Sequence, residues 1–413
     1  MDRITAGLLI PGSGEPVPDG VVILDGAQIT YAGPAAGAPA TPGARLHQAV
    51  TVLPGLWDCH GHFLGARGFD LAQLPLEHVA VRAARSASDL RAALNAGVTS
   101  VREVGGLGVY LAKVVRERLI DGPAIYPAGA ILSTTGGHGD LHSFPLAWMH
   151  DHAMTDGSFR IADGVSDCMR ATREQLRRDA RVIKVCASGG VLSEVDDPVH
   201  QQFTGAELSA IVEVATLAER VVAAHCHGKP GIMAALEAGV RTIEHGTYLD
   251  DECCDAMRET AAILVPTRKI IEDILANLDG VPSYAATKMV AAADAHAAAI
   301  SRALDRGVTI AMGTDIALSG SDRPNSWGQN GAELSHLVRL GMTPLQAIEA
   351  ATATAPRTLG PQAPRSGQLA AGYDADLITV DADPLADIGV LASPGHVTGV
   401  WTAGRQVKGA AQV

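Results

Sequence analysis

Within the stretch VLPGLWDCHGHFLG, Val52 to Gly65, an apolar run delivers Asp58, His60 and His62 within five residues. Histidines at i and i+2 of a strand share one face, so His60 and His62 aim at one point. The same residue types recur downstream, at the ends of other short apolar runs. They are His138 after "TTGG", Lys184 in "VIKVCASGG", His225 and His227 in "AAHCHG", Glu244 and His245 in "TIEHG", and Asp315 in "GTD". A single strand histidine is ordinarily structural, an Asp before a helix is ordinarily an N-cap, and Glu244 reads equally as a structural carboxylate. Imidazoles and a carboxylate gathered at the same end of successive strands are a ligand set for zinc or another first-row divalent ion.

Lys184 is one of only six lysines and sits in an apolar run. In isolation such a lysine snorkels or pairs with an acid. Beside metal ligands, burial and neighbouring positive charge both lower its pKa, so it is expected to be neutral. A neutral amine takes up carbon dioxide as a carbamate, an anion whose two oxygens can bridge two ions. The expectation is a binuclear centre. His60, His62 and Asp315 hold one ion, His225 and His245 hold the second, and N6-carboxylated Lys184 joins them.

The elements that must position these residues are legible as an alternation. Eight short apolar runs ("TVLPGLWDCHGH", "VTSVREVG", "AIYPAGAILS", "RVIKVCAS", "RVVAAHCHG", "RTIEHG", "AAILVPT" and "VTIAMGTD") are separated by helical patterns. "TGAELSAIVEVATLAER" opens with a capping box, Thr204 and Glu207, and sets Leu208, Ile211, Val212 and Ala215 on one stripe. "TPLQAIEAAT" repeats the device with Thr343, Pro344 and Gln346. Eight strands with intervening helices predict an α/β fold, a (β/α)8 TIM barrel, whose chemistry lies at the C-terminal ends of the strands. Both ends of the chain differ in texture. "GVVILDGAQITYAG" reads as a hairpin about Asp25 and Gly26, and "ADLITVDADP" and "HVTGVWTAGRQVKG" read as short strands. We expect one small β domain built from residues 1–55 and 365–413, with the barrel over 56–364.

Composition narrows the class. The 413-residue chain carries a net charge of −13, which argues against a nucleic-acid partner. No segment approaches the roughly 18 unbroken apolar residues of a membrane span, and the start has no signal-peptide pattern, so a cytoplasmic protein is expected. The six cysteines show no CxxC spacing and read as reduced core thiols.

The motifs "PGLWDCHGH", "IKVCASGG", "AAHCHG", "TIEHG" and "GTD", with "ELSHLVRLGMTPLQAIEAATATAPRTLG" and "GYDADLITVDADPL" behind them, resemble the amidohydrolase superfamily in its binuclear branch. The resemblance spans nearly the whole chain, with Trp57 standing where an aliphatic residue is common. It implies a metallo-hydrolase barrel with a β-sandwich domain from both termini, and the same ligands: His60, His62, Lys184, His225, His245 and Asp315. It also implies a homo-oligomer, a tetramer or octamer. "SGGVLS" and "AHCHG" are similar to the members that release C-terminal amino acids: Xaa-Pro and Xaa-Arg/Lys dipeptidases and ochratoxin-hydrolysing amidases. By that resemblance His138 and His227 line the substrate site and polarise the scissile carbonyl.

The activity expected is hydrolysis of an amide or peptide bond next to a free carboxylate. The small-molecule substrate would be a dipeptide, an N-acyl amino acid or an aryl amide of phenylalanine. A metal-bridging hydroxide attacks, and Asp315 serves as base and then acid. The alternatives are hydrolysis of a cyclic amide such as an imidazolone, or of an ester, and more remotely a non-catalytic assembly scaffold. Lys184 weighs against the ring hydrolases and the filled ligand positions against the scaffold. Specificity falls to the loops. Arg268 and Lys269 are candidates to hold a substrate carboxylate, against which a solvated charged loop is at least as good a reading, and Ser188 and Gly189 are candidate substrate contacts. His142, Phe144, Trp148, His150 and His152 stand on the loop after the third strand, and Glu194, Asp196, Asp197 and Phe203 after the fourth.

Overall fold

A computed structural model describes residues 1–155 and 158–409; the side chains of residues 152–155, His152 among them, lie outside the described set. All eight apolar runs are strands. We number them β1 (Leu56–Ala66), β2 (Val98–Glu103), β3 (Ala124–Pro127), β4 (Val182–Cys186), β5 (Val221–Cys226), β6 (Thr242–His245), β7 (Ile263–Val265) and β8 (Thr309–Ile310). Neighbours pair in parallel from β1 to β3 and from β4 to β8. Backbone hydrogen bonds join the two arcs. Arg181 N donates to Pro127 O (2.7 Å), and Cys59 N donates to Met312 O (2.9 Å). The short strand Ile131–Ser133 continues β3 and pairs with β4. The result is the (β/α)8 barrel expected for this alternation.

Trp57 fills the barrel interior with Cys59, Val182, Ala223, Ile263 and Val265. Its ring stacks on Tyr126 at 5.0 Å, and its indole N–H donates to Ser366 Oγ (3.2 Å). A buried indole needs such a partner. The departure from an aliphatic residue is thereby absorbed by packing at the foot of the barrel.

Strands from both termini form one seven-stranded sheet. Leu377–Val380 lies antiparallel to Arg45–Pro54, which lies parallel to Asp2–Leu9. The hairpin turns at Gly26 as expected, with Asp25 paired to Gln28. The chain passes from this sheet into β1 at Gly55, where a Cβ would meet Thr99 Oγ1 at 2.1 Å, so only glycine fits.

Both capping boxes form, at Gly205–Leu217 and Pro344–Ala350. On the first helix Leu208, Ile211 and Ala215 are buried, as is Val214, whereas Val212 is only half-buried. The six cysteines are buried and unpaired. Among the described residues no helix is long and apolar enough to cross a membrane.

Candidate metal centre

At the C-terminal ends of the strands lies a cavity of about 110 Å3. His60, His62, His138, Lys184, His225, His227, His245 and Asp315 all line it. Every residue expected as a ligand therefore reaches one space, together with the two histidines assigned to the substrate side. Tight local geometry aims them. His60 and His62 leave the same edge of β1 with ring centroids 5.3 Å apart. His245 and Asp315 sit where the chain turns abruptly, at φ values of 69° and 58°. Left-handed backbone is uncommon outside glycine and concentrates at functional sites.

The hydrogen bonds at the outer ring nitrogens determine which nitrogens face the cavity. His60 Nδ1 donates to Glu244 Oε2 (2.7 Å), and His62 Nδ1 donates to the Gly105 carbonyl (2.8 Å). Each ring therefore presents a lone pair at Nε2. Both lone pairs face the same carboxylate oxygen, Asp315 Oδ1, at 3.5 and 3.1 Å. Three electron-pair donors aimed at one another repel unless a cation stands between them. The donor set therefore fits a divalent metal ion, and the donor atoms of these three residues lie within 4.8 Å of one another.

His225 is turned the other way. Its Nε2 donates to the Gly189 carbonyl (3.1 Å), which leaves Nδ1 as its free donor atom. His245 pairs through Nδ1 with Thr267 Oγ1 (2.7 Å), and the two rings lie 4.6 Å apart. Lys184, 2% exposed, places Nζ 3.5 Å from His60 Nε2.

The electrostatics match this arrangement. Burial lowers the Lys184 pKa and, with Lys184 nearby, pushes His60 down to about 4. Burial and the neighbouring rings hold His225 and His245 well below the ordinary imidazole value. Burial alone would raise Asp315, but His60 and His62 beside it hold its carboxyl below the usual range. His62 goes the other way: burial would lower it, but the Asp315 carboxylate beside it raises its pKa. A metal ion binding there competes with a proton on His62, whereas Lys184, His60, His225, His245 and Asp315 already have the protonation states that metal binding needs.

Two residues whose part the sequence alone does not show, Glu244 and Arg102, support the ligands. The two form a fully buried pair at 2.8 Å, and Glu244 is the carboxylate that fixes the His60 tautomer. Such outer partners hold ligands in orientation. Asp58 plays a similar part. It accepts from the backbone N–H groups of His60 and Thr314 (3.0 and 3.1 Å) and so ties β1 to the Asp315 turn.

Four of the substrate candidates, Arg268, Lys269, Ser188 and Gly189, stand outside the residues that line the cavity. Arg268 and Lys269 do not line the cavity. They begin the helix Arg268–Leu275, where Arg268 pairs with Glu272 (2.9 Å) and Lys269 with Asp273, each one helical turn on. Their neighbours Ile270 and Ile271 face the cavity instead. Ser188 and Gly189 support the histidines rather than the cavity wall. Ser188 Oγ accepts from the His227 backbone N–H (2.8 Å), and the Gly189 carbonyl holds His225. The two substrate-side histidines are anchored as well, His138 Nδ1 to Ser193 Oγ (2.8 Å) and His227 Nδ1 to Thr247 Oγ1 (2.7 Å).

Most of the remaining wall is apolar, with Leu64, Leu71, Ile131, Phe159, Val191, Leu192, Ile270, Ile271 and Met289 in it. Of the loop residues, His142 and Glu194 line an adjoining hollow, while Phe203 is buried in the core.

Comparison with known proteins agrees with this picture. The amidohydrolase family model matches residues 51–407. The chain is 42% identical to ochratoxinase of Aspergillus niger, covering 98% of this chain and 86% of that protein. The crystal structure of that enzyme superposes with a TM-score of 0.94 over 100% of this chain and 96% of its own. A crystal structure of a prolidase complexed with N-methylphosphonate-L-proline superposes at 0.91 with 31% identity, covering 98% and 99%. An imidazolonepropionase of Streptomyces griseus is 26% identical, covering 96% and 95%.

Proposed function

The chain belongs to the amidohydrolase family and is a hydrolase acting on amide bonds, and from that premise we propose that it is a binuclear enzyme cleaving an amide next to a free carboxylate. The observation that carries this reading is Lys184, buried and lowered in pKa within reach of a convergent His/Asp ligand set. His60, His62 and Asp315 would hold one ion and His225 and His245 the other. Lys184 would join them after its amine adds to carbon dioxide and loses a proton. Zinc suits so many imidazoles.

When bound, the ions supply Lewis acidity and lower the pKa of water so that it attacks near neutral pH. The protein's own groups do the rest. His227 and His138, anchored through their Nδ1 atoms, face the carbonyl oxygen and orient it. Asp315 takes the proton of the attacking water and returns it to the amide nitrogen as the C–N bond breaks. The products are a carboxylic acid and an amine. The apolar walls exclude water and favour an aromatic or branched substrate group.

The free carboxylate is supported by relatives, the ochratoxinase and the prolidase that binds a proline phosphonate. With Arg268 and Lys269 paired elsewhere, we assign the carboxylate to the centre and its histidines rather than to a fixed guanidinium. The test is release of amino acid by metal-loaded protein from dipeptides, N-acyl amino acids and aryl amides of phenylalanine, ochratoxin A included. We expect release from at least one class, with preference for apolar acyl groups. Inertness towards all of them, with cleavage of a cyclic amide or an ester, would overturn the reading.

A further inference from the structure

The loop that follows β4, from Ala187 to Gln202, touches three of the histidines in the cavity. Gly189 holds His225, Ser188 holds the His227 backbone, and Ser193 holds the His138 ring. Gln202 at its far end accepts from the His138 backbone N–H (3.0 Å). Val191 and Leu192 of the same loop form part of the apolar wall. A segment with so little regular structure needs a fastening to hold such contacts still.

That fastening comes from Lys288 on the helix Ser283–Asp305. Its ammonium donates to the carbonyls of Gly190 (3.2 Å), Ser193 (2.7 Å) and Asp196. The Asp196 carboxylate lies 3.9 Å from it and accepts from Gly190 N (2.9 Å) and Gln202 Nε2 (3.0 Å). Three carbonyl dipoles converging on one point repel each other unless a cation occupies it. Without the ammonium the loop would open, since its carbonyls would have to turn towards water.

We infer that Lys288 is a positioning residue: it clamps the loop after β4 and, through Ser193 and Gly190, holds the His138 ring in place against the substrate carbonyl. The geometry leaves His138 little freedom of its own. Its ring stacks on His225 at 4.2 Å, and the Gly190 backbone lies so close to it that a Cβ there would be 2.0 Å from Nδ1. A shift of the loop is therefore passed directly to the ring. This inference rests on the proposed substrate-facing role of His138.

The experiment is a double-mutant cycle on the metal-loaded enzyme, with metal content measured for every variant. Lys288→Met removes the charge but keeps the apolar stem, and Lys288→Arg restores a cation. A displacement of this kind costs roughly 10- to 100-fold in turnover. We expect that loss in kcat/KM for Lys288→Met, with both metals retained and partial recovery in Lys288→Arg. Added to His138→Ala, Lys288→Met should cause little further loss, because both act at one place. Activity within twofold of the parent in Lys288→Met, a loss that tracks metal content, or a full multiplicative loss on top of His138→Ala would overturn the clamp. His138→Ala alone tests the underlying reading: if it keeps full turnover, the substrate-facing role fails whatever Lys288→Met does.

Discussion

In the mechanism proposed above, Asp315 has two duties, as the carboxylate facing His60 and His62 and as the proton carrier of the reaction. Asn keeps a ligand oxygen but cannot carry the proton. Asp315→Asn is expected to retain metal and lose at least about 100-fold in kcat; near-normal turnover would remove Asp315 from that role. Lys184 is tested separately. Lys184→Ala should abolish activity, and short carboxylic acids should restore part of it by filling the space between the ions. A fully active, metal-loaded Lys184→Ala protein would refute the carbamate bridge. At this scale the sequence was informative where a residue ended an apolar run, because burial and direction then follow together. His60, Lys184, His225 and His245 were singled out in that way, and all four line the cavity. It could not show that Arg268 and Lys269 pair along their own helix, since Glu272 and Asp273 become their neighbours only once the helix has formed. It was silent on Arg102, because a charge in the middle of a strand acquires meaning only from Glu244 on a strand across the barrel.

The eight strands and both capping boxes could be read directly, since each is a local pattern of period or spacing. The loops could not. Nothing in "CASGGVLSEVDDP" shows that its carbonyls gather around an ammonium nearly 100 residues away. Nor does "VPTRK" show that Thr267 takes a left-handed conformation, φ 56°, with its hydroxyl set against His245. The loop after β4 makes a prediction of its own. Gly190→Ala places a methyl against the His138 ring, which also stacks on His225. We expect roughly a 100-fold loss of kcat/KM with little change in metal content. Unchanged kinetics would mean that the loop yields freely and that its packing does not set the position of His138.

Across the whole molecule, the apolar interior that lowers the site's pKa values also shapes stability. His296, fully buried on the helix Ser283–Asp305, donates to the Pro266 carbonyl (2.7 Å). Burial, with Arg268 nearby, pushes its pKa from 6.5 down to about 3. Below pH 6.5 the unfolded chain takes up a proton that the folded state refuses. Stability contributed by this group is therefore complete above pH 6.5 and lost as pH falls towards 3, by up to about 1.4 kcal/mol per pH unit. Urea unfolding at pH 7 and pH 5 should show a smaller pH-dependent loss in His296→Phe than in the parent; equal losses would contradict the assignment. The joining of both chain ends in one sheet was legible from matching strand texture, but the parallel pairing of Asp2–Leu9 with Arg45–Pro54 was not, since register between distant strands leaves no local mark.

The central claim is that two ions serve one amide-cleaving site. The most direct measurement is turnover of the best-cleaved amide as metal-stripped protein is titrated with zinc in the presence of bicarbonate. Activity is expected to rise to a plateau at two ions per chain. A plateau at one ion per chain, or activity indifferent to added metal, would contradict it.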